Sequence, residues 1–174
     1  MPAFSIEQLH AWHDFYVFTG TAAASLIGAM FVVASIGGGY LMRDRMPEIR
    51  AFLTPTVSHL STALALAALV LVPSWDEPGL AAVLAFAGLI GLCYSGLVGW
   101  RIGRRRIEAG DRIWYGALPV AAYLVMTAAG AMIVARSTAS LDVLAIVVAL
   151  LLLVGIRNAW DLILFFVAQP RGPN

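Results

Sequence analysis

Arg157 and Asp161 stand four residues apart in a stretch that is otherwise almost wholly apolar, with Asn158 beside the arginine. On a helix, that spacing puts guanidinium and carboxylate on one face and within pairing distance. Asn158 points about 100° away and can reach a different helix. Residues 54–62 offer partners: a Thr-Pro pair that reads as a helix start, then Thr56, Ser58, His59, Ser61 and Thr62. If both segments lie at one depth in a membrane, hydroxyls, an imidazole, an amide and an ion pair meet in the inner leaflet. Such a group can be a polar network that pins two helices together. It can equally line a path for a proton or ion, or hold a small anion at Arg157. The sequence leaves both open.

Other chemistry-bearing residues give weaker signals. Ser5 and Gln8 resemble a capping box, so a helix is expected to begin near Ile6, with Glu7, His10 and Asp14 on one face. Glu-x-x-His is a spacing that carboxylate metal sites use, but only with matching ligands from other helices. A solvated entry to the first span explains it as well, so no metal and no cofactor is expected. Haem finds no histidine pair at one depth, since His59 lies inside while His10 and His13 lie outside. No nucleophile sits in a recognisable motif, so enzyme chemistry is not expected. Arg104, Arg105 and Arg106 read as an anchor to anionic lipid headgroups. The single Cys93 allows no disulfide within the chain and no thiolate cage.

The elements that must position these residues are set by composition. Of 174 residues, 61% are apolar and only 12% charged, about half the usual charged fraction, and the mean hydropathy is +0.86. Uncharged runs cover 15–42, 51–75, 78–100, 113–135 and 143–156. The first four exceed the ~20 residues that span a bilayer. The fifth reaches spanning length only if Arg157 and Asp161 are taken into it, which a strongly apolar upstream segment permits. The expected architecture is all-α: one domain of five transmembrane helices at about 15–42, 54–75, 78–100, 113–135 and 141–168. This composition excludes a soluble enzyme, a nucleic-acid binder and a disordered regulator.

Topology follows from arginine. Nine of the eleven lie in the first and third connections and the C-terminal tail, and only Arg136 lies in the alternate connections, with Arg157 inside a span. The positive-inside rule then predicts N-terminus out and C-terminus in. Trp12 and Trp75 fall at the expected outer boundary, Trp100 and Trp114 at the inner one. The first fourteen residues hold no Lys or Arg, so the first run is expected to be a retained span. Small residues recur every four positions at Gly91, Ser95, Gly99 and Gly103, and again at Gly20, Ala24 and Gly28. That spacing allows close helix approach, either inside the bundle or between copies in a homo-oligomer.

Four segments carry a resemblance: Phe15 to Gly28, Phe52 to Pro55 with His59, Asp111 to Tyr115 with Pro119, and Gly155 to Asp161. Together they resemble an uncharacterised family of small five-span bacterial inner-membrane proteins. The resemblance implies a fold and a location in the bacterial inner membrane but no activity. Some loosely similar small membrane proteins are described as modulators of a membrane protease. Three functional expectations stand: a homo-oligomeric channel or carrier with its polar cluster in the inner leaflet, an accessory subunit of a larger membrane complex, and such a modulator. The expected partners are lipid and either itself or that complex.

Overall fold

The protein is described from a computed structural model, which covers residues 6–40, 46–72, 76–103 and 109–167. All regular elements among them are helical. α1 is Ile6–Tyr40, α2 Met46–Leu71 and α3 Glu77–Gly103. The fourth span is composite: α4 Ala109–Arg112, a π-helical turn Ile113–Ala117, and α5 Leu118–Val134. α6 is Ser140–Val167. Five stretches within these elements are long and apolar enough to cross a membrane.

The helices extend beyond the uncharged runs because their polar ends continue past the hydrocarbon. At 35 residues, α1 is about 52 Å long against a hydrocarbon core of about 30 Å. The reading of Thr54-Pro55 as a helix start is corrected: α2 begins at Met46, and Pro55 lies inside it. Pro47 takes the first-turn position, where the missing N–H costs nothing. Pro55 gives up one backbone bond, a loss membrane helices tolerate where neighbours compensate.

α6 is the central helix. Half of its span is buried, against 22% for α1 and for α3, and it packs on α1, α2 and α5. The chain therefore forms two groups, α1–α2–α6 and α3–α5, joined mainly where α5 meets α6. Among the described residues, α2 makes little direct packing with α3 or α5. The outward faces carry Phe18, Phe31, Phe86, Leu97, Val134 and Ile146 in the open, as lipid-facing surfaces do.

Small residues set the close approaches. A Cβ at Gly20 would lie 3.2 Å from that of Ala67, which ties α1 to α2. A Cβ at Gly155 would meet the Leu60 side chain, with Cγ at 2.8 Å, which ties α6 to α2. Between α3 and the fourth span, Gly88 faces Thr127, Gly91 lies against the Tyr123 ring, Gly99 faces Gly116, and a Cβ at Gly130 would lie 2.9 Å from the Ala81 carbonyl oxygen. The ladder Gly91, Ser95, Gly99 is therefore used inside the chain. Gly28 has open space around it and belongs to no contact, and of Gly103 the structure describes only its helical backbone.

One turn is fixed by its own backbone. After α5, Ser137 N–H donates to Met132 O and Arg136 N–H to Ile133 O, with Arg136 left-handed at φ 56°. This is a Schellman closure, a geometry that usually takes glycine. The Arg136 guanidinium also lies 3.7 Å from Glu77 at the start of α3.

Candidate functional site: a polar seam between two helix groups

α2 and the α3–α5 pair are joined by long side chains where their backbones stand apart. His59, 3% exposed, contacts the Tyr123 hydroxyl through Nδ1 at 3.0 Å, and Thr62 Oγ1 lies 3.2 Å from the same hydroxyl. Thr62 also donates to Ser58 O at 2.9 Å. Counting protons gives one consistent order: with the Thr62 proton on Ser58 O, Tyr123 donates to Thr62, and His59 Nδ1–H donates to Tyr123. Beside this chain, Tyr94 of α3 lies close to Ser58 of α2. The seam thus holds an ordered line of donors from α2 across to α5.

A second cluster lies nearer the end of the bundle that carries the arginine-rich connections. Arg157 pairs with Asp161 along α6, and Tyr115 donates to the other carboxylate oxygen at 2.5 Å. The carboxylate accepts from two helices, so it fastens α6 to the π turn. Tyr115 is three residues from Arg112, which places Asp161 about 5 Å inside the level where that connection ends. Arg157 remains partly open, its side chain 37% exposed against 18% for Asp161.

The π turn has an identifiable cause and consequence. Pro119 at the start of α5 lacks an N–H, so the regular ladder cannot pass through it; instead Leu118 N–H reaches back five residues to Ile113 O. In a plain helix Tyr115 and Tyr123, eight residues apart, would stand about 80° from each other. The extra residue accommodated by the π turn reduces that to about 20°. Both hydroxyls then come from one side of the fourth span. Gly116, in the same turn, faces Gly99 across α3, where small residues leave room for the widened backbone.

Counted along α6, Asn158 stands at a level between the two clusters. It is fully buried, and neither its amide nitrogen nor its carbonyl oxygen has a hydrogen-bond partner. The Leu60–Gly155 contact sets the antiparallel register of α2 and α6. In that register Asn158 is about 3 Å along the axis from His59 and about 4.5 Å from Asp161. Ser95 is also buried without a partner, between Gly91 and Gly99 on the α3 face that meets α5.

The sequence-derived residues thus divide. Arg157 and Asp161 come together, and Ser58, His59 and Thr62 join one network. That network turns to Tyr123, with Tyr94 beside it; among the described residues, the expected bonds from Asn158 and Arg157 to His59 are not made. Tyr94, Tyr115 and Tyr123 were missed by the sequence reading. Their signal is a phenol hydroxyl inside an apolar span, which must find a partner. Glu7, His10 and Asp14 are exposed, with Asp14 contacted by His13 at 3.2 Å, and no group of three His, Cys, Asp or Glu able to hold a metal occurs among the described residues. Arg104, Arg105 and Arg106 lie outside the described residues.

The half of the bundle toward the opposite end is largely apolar inside. Leu66, Ile133, Leu144, Val147 and Val148 are buried there, and Tyr16 reaches the Leu141 carbonyl at 2.9 Å. The serine and threonine hydroxyls of α1 are closed on their own helix: Thr19, Thr21, Ser25 and Ser35 each donate to the carbonyl four residues back. No protein-family model, curated protein or solved structure matches this chain, so the functional reading rests on the seam itself.

Proposed function

We propose that the protein is a multi-pass carrier of the bacterial inner membrane, N-terminus out, that moves a proton or small ion through the seam between α2 and α3–α5. The supporting observation is the location of the buried polar groups. His59, Thr62 and Tyr123 bond across a joint where the helices pack little, while α2 buries Leu60, Ala63, Leu66 and Ala67 elsewhere. A merely structural tie would sit equally well in a tight interface. The apolar opposite half favours a carrier over an open channel, since a closed dry segment must part before anything crosses. Two helix groups sharing the α5–α6 joint supply bodies that can rock against each other. The nine-to-one arginine asymmetry supports the orientation, with the charged cluster in the inner leaflet.

The test is reconstitution. Purified protein in liposomes should move charge under an imposed ion or pH gradient, and Tyr123→Phe should lower that rate without unfolding the protein. Vesicles no more permeable than protein-free ones would overturn the reading. Reporter fusions after residue 106 should report cytoplasm and fusions near Asp76 the outer side.

A second reading, a unit of a homo-oligomer or a larger membrane complex, is favoured by α3. Among the described residues that helix packs chiefly on the fourth span and leaves its far flank bare around Leu89, Cys93, Gly96 and Leu97. The mass of the detergent particle decides it, and a monomer would contradict self-assembly.

A further inference from the structure

We infer that the transported species is the proton, and that Asn158 bridges the two polar clusters by holding water between Asp161 and His59. This rests on the carrier reading above and gives that site its substrate class. Three observations carry it. Asn158 is fully buried with a free donor pair and a free acceptor, the equipment for binding a water that bonds on both sides. Such an amide left unpaired inside a membrane protein is costly, and a leucine there would pack without that cost. Finally, the α2–α6 register sets Asn158 within about one helical turn of both the Tyr115–Asp161 bond and the His59–Tyr123 bond.

Every other member of the line can pass a proton. The carboxylate of Asp161 accepts one. His59 takes a proton on Nε2 as its Nδ1–H bond breaks toward the Tyr123 oxygen, the phenol O–H is released in turn to Thr62 Oγ1, and the Thr62 proton leaves the Ser58 carbonyl for water admitted when the helix groups part. Each hop breaks one N–H or O–H bond and forms another, with no electron transferred. A metal cation would fare poorly on this line, because Arg157 already neutralises Asp161. The amide does not itself ionise, so its contribution is to position the connecting water.

Proton entry into liposomes loaded with a pH-sensitive dye, driven by a potassium diffusion potential, tests this. Wild type should acidify its vesicles above the protein-free leak. Asn158→Leu should fall to that leak while unfolding at the same temperature or higher. Asn158→Ser, which retains a donor and an acceptor and leaves room for water, should keep most of the rate. Thr62→Val, one link further along, should show the same loss as Asn158→Leu, so the inference stays testable if the leucine variant does not fold. A folded Asn158→Leu that acidifies vesicles like wild type overturns the inference, as does loss in both Asn158 variants, which would assign the residue to packing. Charge movement carried by sodium or potassium with no pH change overturns the proton assignment and leaves the carrier reading standing. No charge movement of any kind removes the carrier reading itself.

Discussion

Tyr123 belongs to two seams of opposite character. On one side its ring lies against Gly91 of α3, in an interface where Gly88, Gly99 and Gly130 let backbones approach directly. On the other its hydroxyl reaches across to His59 and Thr62 of α2, where the helices pack little. The first seam is held by van der Waals contact between small residues and is intolerant of added volume. The second is held by hydrogen bonds that can break and re-form in another arrangement. Small-residue packing fixes the α3–α5 pair as one body, and the proposed carrier would part that body from α2 at the polar seam.

That contrast can be broken most severely at the dry seam. Gly130→Leu places a Cβ 2.9 Å from the Ala81 carbonyl and 3.3 Å from the Ala85 nitrogen, both backbone atoms that cannot turn aside. Destabilisation of about 3 kcal/mol or more is expected, read as a large drop in unfolding temperature in detergent. Gly99→Leu should follow it, since the site faces the Gly116 backbone at 3.4 Å.

The charged cluster comes next. Asp161→Asn leaves Arg157 without its counter-ion, and a loss of about 2 kcal/mol is expected. This is below the ~3–5 kcal/mol of a fully buried pair because Arg157 is 37% exposed. Arg157→Gln together with Asp161→Asn should cost less than Asp161→Asn alone. If the single variant melts like wild type and keeps its flux, the charges are solvated and the cluster fastens nothing.

The polar seam itself should be the softer one. Tyr123→Phe removes two interhelical bonds, each worth about 0.6 kcal/mol in a membrane protein, and so lowers stability by about 1 kcal/mol. Smallest of all is Gly96→Ala: its site has open space, and neither melting nor flux should change.

Much of the fold was legible because span length is written locally. The Arg157–Asp161 pair was legible for the same reason, four residues on one helix. The tyrosines were not, because a partner found across helices depends on register. Register here is set by single contacts such as Leu60 on Gly155 and by the π turn before Pro119. Within an apolar run, Tyr94 and Tyr123 look like packing aromatics until their hydroxyls are placed. Gly88, Gly130 and Gly155 escaped notice because they do not continue the four-residue ladder, although each touches a neighbouring helix more tightly than Gly28, which does. Pro55 misled for a related reason: the rule that proline starts helices is local, while the membrane environment lets one remain inside.

The central claim is that the polar seam works and does not merely hold. It is tested most directly by measuring flux and unfolding temperature together for Tyr123→Phe in one reconstituted preparation. A small loss of stability with a large loss of flux is expected. A Tyr123→Phe protein that carries as wild type does, whatever its stability, would contradict it.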